Sequence, residues 1–209
     1  MSITYTTLEA LQEEERDALQ ELMNLATGRA GDALARVLKT FVQLSVPHVR
    51  LVPVYAADSA IKDAVQMPGE FSAARQSFHG GIDGEAIVIF DERGCQNLWD
   101  LLGHETPPSD SATRNELLME VANILVGALV CSLGEQLGAE VQFTAPSFLA
   151  QGSDLGDLLV AKNLEWAYSL LIKIAFSVEG REFYSNVIVM FTEETVTKLR
   201  DYVRSLLGD

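Results

Sequence analysis

The feature that most constrains the fold of this chain is a short pattern of residues that occurs twice, at a constant offset of 99 positions. A glutamate, an asparagine and a glycine recur with helical spacing, and 22 residues separate each asparagine from a following proline. The offset is too long for a solenoid repeat, so it indicates two related halves. The repeated residues are Glu21, Asn24, Gly28 and Pro47 in the first copy and Glu120, Asn123, Gly127 and Pro146 in the second.

Both halves show the same order of predicted elements: a long amphipathic helix, a strand, a hairpin and a shorter helix. The first long helix is predicted to begin near Thr6, where Thr6 and Glu9 have capping-box spacing, and to end before Phe41. The second is predicted over about 112–138. The other predicted elements are a loop or short helix within 55–69, helices at 92–102 and 193–207, and strands at 42–47, 71–79, 85–90, 141–146, 166–178 and 182–191.

A segment rich in proline and helix-capping residues, Glu105–Asp110, separates the two halves. We therefore predict an α/β fold of the α+β kind with pseudo-two-fold symmetry, in which two long helices pack on a β-sheet built by both halves. The chain is expected to form one domain over residues 1–209, with halves at about 1–104 and 109–209. A chain of this length can bury a sizeable core.

Charge and cysteine usage argue against several classes of protein. The formal net charge of −15 disfavours a nucleic-acid partner, because phosphate contacts need Lys and Arg. Cys95 and Cys131 lack metal-ligand spacing and the histidines are scattered, so a reduced cytoplasmic protein without a metal site is expected. No secretory signal is predicted. The longest uncharged stretch, Val121–Gly134, is shorter than the roughly 20 residues that cross a bilayer, so we predict a buried helix without membrane insertion.

The glutamate and asparagine of each copy are expected to share one helix face. Residues three or four apart on a helix are neighbours, so Gly28 and Gly127 lie beside their asparagines. A glycine inside a helix costs about 1 kcal/mol relative to alanine. We therefore expect another backbone, from this chain or from a partner, to approach each glycine closely. A single Glu or Asn on a helix is most often a solvated surface residue, but retention of the pair in both copies favours a chemical role.

The asparagine limits what that chemistry can be. A carboxamide offers two donors and an acceptor, and it is neither a nucleophile nor a useful base at neutral pH. It can orient a water molecule toward an electrophilic phosphorus, as in phosphoryl-transfer hydrolysis. A glutamate beside it can pair with a lysine of a partner. The chain has no Walker-type phosphate loop and no recognisable nucleophile elbow, which argues against NTP hydrolysis and against serine or cysteine catalysis.

The complete pattern resembles the signature of the CheC/CheX/FliY family, bacterial phosphatases that act on the phosphorylated chemotaxis response regulator CheY. The first copy, Asp17-x-x-x-Glu21-x-x-Asn24-x22-Pro47, fits in full. The second departs only at its first position, where Glu116 replaces Asp or Ser. Two intact motifs resemble CheC more than CheX, which carries one. Members of the FliY kind add a C-terminal motor-switch domain, which is not expected within these 209 residues.

The resemblance implies a mechanism and partners. Glu21 with Asn24, and Glu120 with Asn123, would insert into the active site of a receiver domain, where the asparagine orients the water that attacks the aspartyl phosphate. No cofactor of its own is implied, since the Mg²⁺ belongs to the receiver. The deamidase CheD is implied as a further partner. The alternatives are a non-catalytic scaffold of the same fold that binds a receiver or CheD, and a regulator that sequesters another response regulator.

Overall fold

The computed structural model describes residues 12–53, 57–65, 70–102, 110–152, 168–178 and 184–208. Five helices and eight strands lie within these ranges. In chain order they are α1 (Glu13–Leu38), β1 (Val42–Leu44), β2 (His48–Pro53), α2 (Ala57–Ala64), β3 (Phe71–Gly80), β4 (Gly84–Asp91), α3 (Glu92–Leu101), α4 (Ser111–Leu137), β5 (Val141–Phe143), β6 (Ser147–Gly152), β7 (Tyr168–Val178), β8 (Tyr184–Phe191) and α5 (Glu193–Leu207).

Helix α1, which carries the first copy of the motif, has defined contacts at both ends. At its start the backbone N–H of Gln12, which lies outside the helical ladder, donates to Glu15 Oε2 at 3.1 Å. At its end Lys39 adopts a left-handed conformation with φ of 52°, so the helix stops before Phe41 as predicted. The predicted start near Thr6 lies outside the described residues.

Helix α4 carries the second copy. Asp110 caps it by accepting from the backbone N–H of Thr113 at 2.8 Å, and Gly138 ends it with φ of 64°. By length and composition α4 qualifies as a membrane span, but 61% of its most apolar window is buried inside the protein. Core packing therefore accounts for the apolar stretch Val121–Gly134.

The strands form one sheet in which the two halves exchange edge strands. The order is β1-β7-β8-β4-β3-β5, with β2 also pairing with β7 and β6 with β3. Strands β1 and β2 of the first half therefore extend the β7–β8 hairpin of the second half, and β5 and β6 extend the β3–β4 hairpin of the first. The predicted pseudo-two-fold relation is visible in the register, because Leu44 faces Phe176 as Phe143 faces Phe78.

Strands β2 and β6 are the elements that the sequence patterns did not predict. The strand predictions at 42–47 and 141–146 end at the repeated prolines, Pro47 and Pro146, and pairing resumes directly after each proline. Proline has no amide hydrogen to donate to a ladder, so it separates β1 from β2 and β5 from β6. The two prolines therefore mark a break between two short strands in each half.

The sheet is buried on both faces. Alternate residues of β3 enter two different clusters, with Ala74 and Phe78 on the face covered by α1, α4 and α5. The opposite face packs against α2 through Ile61, where Phe71 and Ala73 lie. The two long helices thus cover one face, as predicted, and α2 contributes to the cover of the other.

A buried ionic cluster joins the start of α1 to α5. Glu15 accepts from Arg204 Nε at 2.7 Å and from an Arg200 nitrogen at 3.3 Å. Glu15 and Arg200 are only 2% and 8% exposed. Burial alone raises the pKa of Glu15, but the Gln12 amide and the two arginines outweigh that effect and hold the pKa below its ordinary value.

Candidate functional site

The first predicted pair lies on the outer side of α1. Glu21 is exposed and Asn24, one turn later, is half-buried. Asn24 Nδ2 donates to Glu21 Oε2 at 3.3 Å, which is long for a hydrogen bond between side chains. The amino group of this carboxamide is thus engaged by its own glutamate, while its Oδ1 has no donor among the described residues.

An open groove of about 390 Å³ lies beside Asn24, between α1 and the last turns of α4. Its walls are held together by Gln136 Nε2, which donates to the Leu22 carbonyl at 3.3 Å, and by an ion pair between Arg29 and Glu135. The lining residues are Asn24, Leu25, Gly28, Arg29 and Asp32 of α1, with Ser132 and Gln136 of α4. Neither member of the second pair lines this groove, so the structure does not bring the two pairs into one pocket.

The second predicted pair, Glu120 and Asn123, lies on α4, and both side chains are exposed. Asn123 Oδ1 accepts from Gln76 Nε2 at 2.7 Å. Gln76, on β3, is 2% exposed and also donates to the backbone carbonyl of Thr144 at 3.0 Å. Asn123 is therefore accessible from outside and is held from beneath by a buried glutamine.

Gln76 is the site residue that sequence reasoning missed. It lies between Ala74 and Phe78 in a row of side chains that faces the helices, where its neighbours are apolar. The sequence clue that could have identified Gln76 is a single carboxamide residue among the apolar residues that alternate along β3. Its counterpart in the second half is Ile174, because Phe78 and Phe176 hold equivalent register positions. The position equivalent to Gln76 in the second half is therefore an apolar residue, which cannot donate a hydrogen bond.

Of the two expected sources of a backbone close to the repeated glycines, this chain's own described residues provide none. A Cβ built on Gly28 or Gly127 would meet no atom of the described structure within 4 Å. Tight packing occurs instead at Gly134, where a Cβ would lie 2.8 Å from the Ala139 carbonyl oxygen. Among the described residues the space beside Gly28 and Gly127 is open, and the approach of a partner's backbone stays a prediction.

The described ranges contain no metal-binding cluster at either pair. No group of three or more His, Cys, Asp and Glu side chains there is arranged to hold a metal ion. Asp17 and Glu116, the position at which the two motif copies differ, are both exposed. Cys131, two turns after Asn123, has a thiol pKa raised by partial burial and further by the charge of Glu135.

Two family models match this chain, each over one copy of the motif. The model described as chemotaxis phosphatase CheX matches residues 72–156, which contain Glu120 and Asn123. The model of the CheC-like family matches residues 14–50, which contain the first pair.

Matches to individual proteins extend over most of the chain. The flagellar motor switch phosphatase FliY of Bacillus subtilis is 23% identical over 204 residues, covering 95% of this chain and 50% of the relative. The chain thus spans about half the length of that curated relative. The crystal structure of Thermotoga maritima FliY has a TM-score of 0.69 at 22% identity, covering 93% of this chain and 98% of the other. A CheX–CheY–BeF3–Mg²⁺ complex from Borrelia burgdorferi gives a TM-score of 0.53 at 18% identity, with 83% and 97% covered.

The described elements therefore form the fold seen in the FliY and CheX structures. The chain is similar to CheX, CheC-like and FliY proteins, so the resemblance predicted from the repeated motif is confirmed.

Proposed function

We propose that this protein is a phosphatase that hydrolyses the aspartyl phosphate of a CheY-like receiver domain. The observation that carries the proposal is the repeated Glu/Asn pair, accessible on the outer faces of α1 and α4 beside open glycine positions. The names of the relatives support the reaction class, since the CheX model describes a chemotaxis phosphatase and FliY of Bacillus subtilis is a motor switch phosphatase. The CheX–CheY complex supports a receiver as the partner.

In the proposed reaction, Asn24 or Asn123 hydrogen-bonds a water molecule and aligns it with the phosphorus. The water oxygen bonds to phosphorus while the bond from phosphorus to the aspartyl oxygen breaks. The products are the free receiver carboxylate and inorganic phosphate, with one water proton kept by the phosphate and the other released to solvent. A Mg²⁺ held by the receiver would supply charge neutralisation, and the part of this chain is to position the water.

The glutamates are assigned the docking role. Glu21 and Glu120 are exposed and available to pair with a lysine of the receiver, which sets the register of each helix in the complex. The 3.3 Å bond between Asn24 and Glu21 is weak enough for a partner lysine to replace it. The open space at Gly28 and Gly127 lets the receiver backbone come close to each asparagine.

The test is the rate at which a phosphorylated receiver loses its phosphate with and without this protein, across a panel of receivers. The wild type should accelerate the loss from at least one receiver, and Asn24→Ala with Asn123→Ala should abolish the acceleration. The matched control replaces two other exposed carboxamides that are also 99 residues apart, Gln43→Ala with Gln142→Ala, and should retain the wild-type rate.

An unchanged rate in the double asparagine variant would show that the catalytic assignment is wrong. Binding of the phosphorylated receiver without faster loss of phosphate would instead identify a scaffold. We also propose that this protein binds CheD and that it is cytoplasmic. Both proposals rest on its similarity to CheC, CheX and FliY proteins. Co-purification of this protein with CheD from the same organism tests the former.

A further inference from the structure

We propose that Gln76 is a positioning residue that holds the Asn123 carboxamide in one orientation, and that this makes the second site the faster of the two. The proposal rests on the proposed phosphatase function. It concerns how one water-orienting side chain is held in place before the receiver arrives, and it assigns unequal roles to the two copies of the motif.

The hydrogen bonds around Gln76 permit only one arrangement. Its Nε2 donates both to the Thr144 carbonyl and to Asn123 Oδ1, so both amide hydrogens are used. If Gln76 were inverted, its Oε1 would face two acceptors without a hydrogen between them. If Asn123 were inverted, its Nδ2 would face another donor. Because the Thr144 carbonyl belongs to the backbone and has a fixed polarity, it sets the orientation of both side chains in turn.

That arrangement leaves hydrogen-bonding groups of Asn123 free on the side that faces solvent. One lone pair of Asn123 Oδ1 is engaged by Gln76, and the second can accept a hydrogen bond from the attacking water. The Asn123 Nδ2 group also remains available to the receiver. A carboxamide that is already oriented has less rotational freedom to lose when the reacting complex forms, which favours the chemical step.

Packing does not explain a glutamine at this position. Gln76 is 2% exposed, and its Oε1 is buried without a hydrogen-bond partner among the described residues. A buried acceptor left unpaired is unfavourable, whereas the equivalent residue of the other half, Ile174, is apolar and fully buried. The contact with Asn123 is the feature that the apolar residue cannot provide.

The first site has no such support. Asn24 is bonded to the exposed Glu21 at 3.3 Å, through Nδ2 instead of Oδ1. Its partner Glu21 is an exposed surface side chain, and a lysine of the receiver is expected to compete with Asn24 for the Glu21 carboxylate. Asn24 therefore has to be oriented within the complex, while Asn123 is oriented beforehand.

Variants that keep only one of the two asparagines separate the phosphatase rates of the two sites. Asn24→Ala leaves only the second site and Asn123→Ala leaves only the first. Adding Gln76→Leu should lower kcat of the second-site protein by about tenfold with little change in KM, a size typical of a lost positioning contact. The same Gln76→Leu change should leave the first-site protein unaffected, which makes that background the matched control.

The thermal midpoint distinguishes positioning from a structural role. If Gln76 acts on Asn123, Gln76→Leu should lose activity while its thermal midpoint stays equal or rises, because an unpaired buried acceptor is removed. Gln76→Met keeps a similar size but removes both amide hydrogens, and it should show the same loss of kcat. Equal kcat in the second-site protein with and without Gln76→Leu would overturn the proposal. Absence of phosphatase activity in the wild type would instead overturn the proposed function.

An NMR measurement tests the contact between Gln76 and Asn123 without an activity assay, and it applies even if the Gln76 variants do not fold. Asn123 is exposed, so Asn123→Ala should fold. In NMR spectra of protein with ¹⁵N-labelled glutamine, the side-chain NH2 signals of Gln76 should shift in Asn123→Ala and stay in place in Asn24→Ala. Unchanged Gln76 signals in both variants would refute the contact.

Discussion

At the scale of single residues, the glycines of α4 differ in what surrounds them. Gly127 has open space where a Cβ would stand, whereas a Cβ on Gly134 would lie 2.8 Å from a backbone oxygen. Both lie on the same helix, seven residues apart, so the same substitution can be compared at the two positions. One glycine is required by the packing of this chain, and the other is available for a partner.

We predict opposite effects of alanine at these two positions. Gly127→Ala should raise the free energy of unfolding by about 0.5–1 kcal/mol, because alanine favours the helix and meets nothing. Gly134→Ala should lower it by about 1–3 kcal/mol, because the methyl group overlaps the Ala139 carbonyl. Urea unfolding curves of the two variants measure both changes. A gain in stability for Gly134→Ala would contradict the packing described here.

The open glycines also predict an effect on the complex. Gly28→Ala and Gly127→Ala should each raise KM for a phosphorylated receiver several-fold in the matching single-site protein, because a methyl group occupies space reserved for the partner. The rate should be measured over a range of receiver concentrations. An unchanged KM in both variants would remove the glycines from the docking surface.

At the scale of elements, the start of α1 is tied to α5 by the buried cluster of Glu15, Arg200 and Arg204. Glu15 lies two residues before Asp17, the first position of the motif in α1, so the cluster ties the start of the helix that carries the first site to α5. Breaking one partner of a buried ion pair leaves an uncompensated charge, which is far more costly than losing an exposed pair.

We predict that this cluster makes stability depend on pH in the acid range. The folded-state pKa of Glu15 lies below its ordinary value of 4.5, so the folded state binds the proton less tightly than the unfolded chain. The stabilisation by the ionised Glu15 carboxylate is present above pH 4.5 and is lost as the pH falls through the folded-state pKa. Glu15→Gln should lower stability near neutral pH and flatten the fall in stability below pH 4.5, measured as the urea midpoint against pH.

The neighbouring Glu14 provides the control for this experiment. It is in the same first turn of α1 but is exposed. Glu14→Gln should leave the pH dependence close to that of the wild type. If both substitutions flatten the curve equally, the effect comes from the charge of the helix start and not from the buried cluster.

At the scale of the whole molecule, the exchange of edge strands makes the halves mutually dependent. Strand β7 pairs with β1, β2 and β8, and β3 pairs with β4, β5 and β6, so each hairpin is completed by strands of the other half. A hairpin without these neighbours exposes unpaired edges and one apolar face.

We predict that neither half folds alone. Fragments 1–104 and 109–209 should each lack near-ultraviolet circular dichroism and dispersed NMR signals, because five of the seven strand pairs in the described sheet join one half to the other. Mixing the two fragments should restore the folded spectrum, as each supplies the edge strands that the other needs. Two independently folded fragments would show that the exchange is not required.

The elements with strong local signals could be predicted closely from the sequence. The last helix is found at Glu193–Leu207 and α4 at Ser111–Leu137, against predictions of 193–207 and about 112–138. Their periodicity, caps and terminating glycines act over a few residues. Strands β2 and β6 could not be predicted, because their pairing is completed by β7 and β3 far along the chain.

The sequence by itself determined that there are two halves, that each has one long helix, and that a glutamate and an asparagine share a face of each helix. Those properties follow from helical spacing and from a constant offset along the chain. Only the tertiary structure decided that the repeated glycines face open space and that the two asparagines are held differently. The contact that distinguishes them joins Gln76 to Asn123 across 47 positions, and no local pattern encodes which strand lies beneath which helix.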